Sequence, residues 1–220
     1  MPTIEKEKKK GKTGSGTQCV DRHRMEAENA GIKRRRQWNK ENRGMEIREA
    51  KMAEIPELSR CYALSWRTAY TGLVPQTYLN HLKLDFWVPS FSRWLRDPEM
   101  HTFVIDDAGT IGGVVTFGKA RDVSHKGWGE IMSLYLLPEY WNRRLGFQLC
   151  VSALKQLQKE GYDQVYLWAL DSNERALVFY QKVGFKMTGE TWGGQVGGQN
   201  VTDIRLTLSM FPLKEKEAEQ

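Results

Sequence analysis

The stretch "PEYWNRRLGFQLC", Pro138 to Cys150, sets an indole, two guanidinium groups and a single glycine directly before an apolar run of helical period. The start of a helix exposes N–H groups that have no partner inside the helix, at the positive end of its dipole, and so favours anions such as phosphate. A turn that grips phosphate through its backbone needs glycine so that the anion can come close, and here only Gly146 supplies one. Arg143 and Arg144 offer something different, planar forks that can bond phosphate oxygens in pairs. The chemistry of the chain turns on whether this is a phosphate site or a basic turn with a helix behind it.

The elements around that turn follow from hydrophobic periodicity. The apolar pattern "GEIMSLYLLP" leads into it as a strand, and behind it Leu145, Phe147, Leu149, Ala153, Leu154 and Leu157 recur as on an amphipathic helix ending at Gly161. "QVYLWAL" follows, apolar on both faces as a strand covered on both sides must be. Strand, helix, strand makes a crossover unit, whose strands pair in parallel through a right-handed connection. "SNERALVFYQKV" is a further helix, with Ser172 or Asn173 as N-cap and Gly184 past its end. Upstream, "MEIREA" reads as a strand from Met45, and "MAEIPELSRCYALSWRTAYTG" as a helix stopped at Gly72. From about Pro75 to Trp94 the pattern is an aromatic-rich helical layer, and "HTFVIDD" and "TIGGVVTFG" form a hairpin turned at Asp107-Ala108-Gly109. Near the end, "GFKMTGE" and "TDIRLTLSM" read as strands around a glycine-rich "WGGQVGGQN" loop.

Charge divides the chain. Residues 1–44 hold 13 of the 33 Lys and Arg against 6 of the 27 Asp and Glu, leaving 20 against 21 for the rest, so the basicity belongs to the N-terminal extension. That extension has too few large apolar residues to bury a core, which predicts disorder for 1–44. Its "KRRR" run, Lys33 to Arg36, reads more readily as solvated charge than as a nucleic-acid contact, and the near-neutral remainder counts against nucleic acid as a partner. Residues 213–220 form a second charged tail. Cys19, Cys61 and Cys150 are odd in number and far apart, and the four histidines show no ligand spacing, so neither a disulfide framework nor a metal is expected. With no apolar run of the ~18 residues that span a bilayer and no signal-peptide pattern, the reading is cytoplasmic, without a membrane.

Taken in order, these elements and three local motifs resemble the GNAT (GCN5-related N-acetyltransferase) superfamily over about residues 45–212. "LYLLPEYW…LG" is similar to the family's acyl-CoA motif, "NERALVFYQKVGF" to its second signature, and "WRTAYTGLVP", less specifically, to its first helical segment. The resemblance implies an α/β (α+β) fold: a mixed, mostly antiparallel sheet with a splayed central parallel pair, here "GEIMSLYLL" and "QVYLWAL", flanked by helices. It also implies an N-acetyltransferase that moves the acetyl group of acetyl-CoA to a primary amine of a small molecule or peptide, by direct attack within a ternary complex.

On that resemblance the turn Trp141, Asn142, Arg143, Arg144, Leu145 and Gly146 receives the pyrophosphate, and the edge Leu134, Tyr135 and Leu136 pairs with the pantetheine amides. Asn173 bonds the same arm or simply caps its helix. Glu130 stands where the histone-acetylating branch places its base, against the plainer reading of a solvated strand-end carboxylate. Tyr180 stands at the general-acid position, against the plainer reading of a core tyrosine. The turn departs from the family where Arg144 replaces a glycine, since a side chain there crowds the anion and disfavours a positive φ. That departure keeps open an alternative, a GNAT-like binding or interaction module with weakened acyl-CoA binding. A homodimer is compatible with either reading.

Overall fold

The computed structural model describes Asn42 and residues 44–210. The chain divides into two units, Met1–Gly44 and Met45–Gln220. Apart from Asn42 and Gly44, the extension expected to be disordered lies outside the described residues, as does the charged tail 213–220.

In the second unit the elements run β1 (Met45–Glu49), α1 (Ile55–Ala69), α2 (Gln76–His81), α3 (Val88–Trp94), β2 (Met100–Asp107), β3 (Thr110–Lys119), β4 (Gly129–Leu136), α4 (Leu145–Lys159), β5 (Gln164–Leu170), α5 (Glu174–Val183), β6 (Lys186–Val196) and β7 (Gln199–Ser209). The strands form one seven-stranded sheet in the order β1-β2-β3-β4-β5-β7-β6. Every pairing is antiparallel except β4 with β5, the crossover pair, which meets only at Gly129↔Val165 and Glu130↔Tyr166. From there the two strands part, as the resemblance implies.

Helices cover both faces. Leu58 and Tyr62 of α1 pack with Phe91 of α3 and with Val104 and Val114 of the sheet in one buried cluster. On the other face, a Cβ at Gly129 would stand 3.0 Å from Leu157 of α4. The aromatic-rich layer is broken rather than continuous: Leu82 leaves the α region at ψ 113°, and Pro89 stands in the first turn of α3, where a missing N–H costs nothing.

Two local features shape the site. Thr116 of β3 pairs with Ser133 while Phe117 pairs with Ile131, so Met132 is an extra residue, a β-bulge in β4. The bulge shifts the side-chain alternation by one, and Glu130, Met132, Ser133 and Tyr135 all come to the α1 face of the sheet. There Ser133 and Thr116 meet the Tyr62 hydroxyl in hydrogen bonds. The second feature corrects the sequence reading, because "WGGQVGGQN" is not a loop. Its ends extend β6 and β7, and only Gly197 and Gly198, at φ 58° and 83°, form the turn. Two successive left-handed residues make the hairpin connection whose twist matches the flanking strands. This tip docks on the segment after α1: Gln199 donates to the Leu73 carbonyl at 3.1 Å, and a Cβ at Gly197 would strike the Tyr78 side chain at 2.6 Å.

Candidate active site

The parting of β4 from β5 opens a cleft of about 1080 Å³, walled by β4, the turn before α4, and α5. Leu137 N–H donates to Gly112 C=O, and antiparallel alternation then turns the N–H and C=O of Leu134 and the N–H of Leu136 away from β3, toward the gap. The Leu136 carbonyl is already taken by the Trp141 indole at 2.9 Å. What remains is a short, unpaired sheet edge able to bond an amide-bearing chain.

At the outer end of the cleft, Tyr140 lies on Gly112 so closely that a Cβ there would stand 2.6 Å from its ring, and its hydroxyl donates to Asp107 at 3.1 Å. That contact fixes where the turn begins. Asn142 and Arg144 then take left-handed φ of 60° and 58° on either side of Arg143, the alternation that turns successive backbone N–H groups to one side as an anion-binding nest. The Arg144 carbonyl accepts the first bond of α4, from Gln148, which leaves the N–H groups of the first turn without intrahelical partners. Arg144 therefore adopts the positive φ that its side chain disfavours, and it does so with the side chain exposed. A Cβ at Gly146 would meet only Leu136 and Phe179, at 3.6 Å and beyond, so nothing in the protein itself demands glycine at that position.

The structure brings Leu134, Tyr135, Leu136, Trp141, Asn142, Arg144, Leu145, Gly146, Asn173 and Tyr180 to the wall of this cleft. Arg143 does not line it, and its guanidinium lies over the Tyr140 ring and 3.6 Å from Met45 Sδ. Asn173 is an N-cap, accepting from Ala176 N–H at 3.1 Å through Oδ1, and it also lines the cleft. Sequence reasoning missed Arg175, whose guanidinium lies 3.4 Å from the centre of the Trp141 ring and so joins α5 to the turn across the cleft mouth. The two residues are far apart in sequence, and no spacing rule links them.

Tyr180 is 8% exposed, packed edge-on against Phe179 and Phe185, and lines the cleft. Burial pushes its pKa up, so the group stays protonated and can act as a donor.

A second cavity of about 760 Å³ adjoins the first, sharing Tyr70, Met132, Tyr135, Trp168 and Leu170 with it. Its walls come from α1, β4, β5 and the β6–β7 hairpin. The Tyr70 and Tyr135 hydroxyls stand 3.1 Å apart on the shared wall, and burial raises both pKa values. Glu130 lines this cavity and is not a solvated carboxylate, being 1% exposed. Its Oε1 accepts from Arg121 Nη2 at 2.5 Å, and its Oε2 accepts from Arg121 N–H, Arg121 Nε and Tyr166 Oη at 3.0 to 3.1 Å. These four bonds hold the carboxylate between Arg121 and Tyr166. Burial, with the nearby Glu130 charge, lifts Tyr166 to about 12.

Among the described residues no group of His, Cys, Asp and Glu is arranged to hold a metal, and no helix is long and apolar enough to cross a membrane.

Known proteins share this architecture. The model of the acetyltransferase (GNAT) family matches residues 61–185. The uncharacterized N-acetyltransferase YuaI of Bacillus subtilis is 29% identical over 136 residues, covering 61% of this chain and 76% of that protein. The spermidine N(1)-acetyltransferase of Thermoplasma acidophilum is 23% identical over 145 residues, covering 65% and 89%. Among solved structures, the PaiA N-acetyltransferase of Thermoplasma acidophilum in complex with coenzyme A superposes with a TM-score of 0.60 at 20% identity, over 75% of this chain and 98% of that one. The yncA protein of Salmonella typhimurium with acetyl-CoA does so at 0.60 and 16%, over 80% and 99%, and at such identities the likeness speaks for the fold. The chain belongs to the acetyltransferase (GNAT) family and is an acetyl-CoA-dependent N-acetyltransferase.

Proposed function

We propose that the enzyme acetylates a primary amine of a small molecule or peptide by direct attack within a ternary complex. The observation that carries this reading is the junction of the two cavities at Tyr70, Tyr135 and Trp168, where a thioester entering along β4 and an amine entering from the hairpin side can meet. The cosubstrate fits the residues present: free N–H groups and the exposed Arg144 at the outer end suit a pyrophosphate, and the unpaired edge of β4 suits an amide chain. Acetyl-CoA would supply an acyl carbon activated by its thioester. The amine nitrogen gives its lone pair to that carbon, the C–S bond breaks, the Tyr180 hydroxyl gives its proton to the departing sulfur, and the proton that the nitrogen sheds as the amide forms returns to the Tyr180 oxygen through solvent.

Glu130, expected as the base, is buried and held by four hydrogen bonds from Arg121 and Tyr166. We assign it instead to holding Arg121 and Tyr166 at the cavity wall. Two buried free thiols, Cys61 and Cys150, support a reducing, cytoplasmic setting. The test is a panel of small amines and peptide N-termini with acetyl-CoA, read as free thiol release. Amine-dependent release is expected. Tight acetyl-CoA binding with no release for any amine would overturn the acceptor class.

A further inference from the structure

The second cavity holds one carboxylate that its surroundings leave uncommitted. Building on the acetyltransferase reading, we propose that Asp203 on β7 receives the ammonium group of the acceptor, and that the cavity selects a primary amine carried on an aromatic or apolar body.

The charges of the cavity wall support this one by one. Arg121 is spent on Glu130. Arg205 is spent on Asp122 at 2.6 Å and Glu190 at 2.8 Å, while its guanidinium covers the Trp168 and Tyr166 rings. Three of the four wall carboxylates thus have an arginine, and the Asp203 carboxylate has neither an ion pair nor a hydrogen bond among the described residues. Burial, reinforced by the like charge of Asp171, raises its pKa above the usual carboxylate range. An ionised carboxylate short of counter-charge is stabilised by an arriving cation.

The remaining wall says what the cation should be attached to. Asp203 stands opposite Leu170 on one side and Trp192 on the other, and Trp66, Tyr70 and Trp168 complete the lining. Indole and phenol faces attract a cation as well as hydrocarbon. The same wall borders the acetyl-CoA cleft, which puts an amine held here next to the thioester side.

Asp203 anchors nothing whose loss would unfold the sheet, so Asp203→Asn is a usable variant. Calorimetry on the full chain with excess CoA compares 2-phenylethylamine with 2-phenylethanol, its neutral counterpart. Wild type should prefer the amine by at least about tenfold, and Asp203→Asn should bring the two within about twofold by weakening the amine alone. Asp203→Glu, which keeps the charge, should restore much of the preference. Equal binding of the two probes by wild type, binding of neither, or a preference that survives Asp203→Asn would each overturn the assignment. Acetyl-CoA affinity, measured on the same preparations, should be unchanged by both substitutions. Its absence from wild type, with the amine preference intact, would overturn the acetyltransferase reading and leave the Asp203 site standing.

Discussion

Arg144 holds a left-handed backbone, φ 58° and ψ 7°, at the residue before α4, with its side chain in solvent. A non-glycine residue there costs about 1 kcal/mol. Arg144→Gly should therefore stabilise the fold by up to ~1 kcal/mol, read as a higher midpoint in urea, less what glycine loses in unfolded-state entropy. The same change removes an exposed guanidinium from the mouth of the cleft, so acetyl-CoA should bind roughly threefold to tenfold more weakly, with less dependence on salt. Calorimetry at two salt concentrations checks both effects, and tighter binding would mean that the backbone grips the phosphate unaided. Tyr180→Phe belongs to the same scale. A donor to the leaving sulfur acts mainly in the transition state, so turnover should fall by about 10²-fold while acetyl-CoA affinity holds. Equal loss in both quantities would make Tyr180 a packing residue.

Elements explain why some of this was legible in the sequence and some was not. Period and caps revealed α4 and α5, down to an N-cap at Ser172 or Asn173, where the structure has Asn173, and Gly184 at φ 118° past the end, because both depend on neighbours within a few residues. The hairpin between β6 and β7 was legible too, in the Gly197-Gly198 pair, but the surrounding glycines made the whole stretch look like a loop. The bulge at Met132 left no such trace, since an apolar run looks the same with one residue more or less. Nor did the pairing of Arg121 with Glu130 or the stacking of Arg175 on Trp141, which only the fold brings together. Gly112 gives the element scale its own test. A methyl group there would press on a Tyr140 ring held by Asp107, so Gly112→Ala should destabilise by about 1–3 kcal/mol and weaken acetyl-CoA binding by shifting the turn. A urea melt and calorimetry on the variant measure the two, and unchanged binding would show that the turn keeps its place without that contact.

For the folded unit as a whole, acid is the expected weakness. Arg48 of β1 joins Glu54 and Asp106 in bonds of 2.6 to 3.0 Å, and this holds both carboxyls below their usual pKa. Asp122 is held lower as well, by Ser124 first and then Arg205. Groups with a depressed folded pKa contribute stability that is complete above their unfolded values, near 4, and is lost as pH falls through the folded ones. The melting temperature should stay level from neutral to about pH 5 and drop below about pH 4, and Arg48→Met should flatten that drop. A profile that is the same in both proteins would remove the Arg48 cluster from the account. The two cavities also divide the chain along its length. The cleft for the cosubstrate is lined by residues between Ser65 and Lys182, and the family match, 61–185, covers that span and stops. More than a third of the proposed acceptor wall, Glu190 to Arg205, lies beyond it in the β6–β7 hairpin, fastened at its tip to Leu73 and Tyr78. The family model thus spans the half of the chain that the proposed reaction assigns to the acetyl donor. If the hairpin carries the acceptor wall as proposed, it is an exchangeable head: a graft of it from a relative, with the Gln199 and Gly197 fastenings kept, should transplant one enzyme's choice of amine onto another's handling of acetyl-CoA.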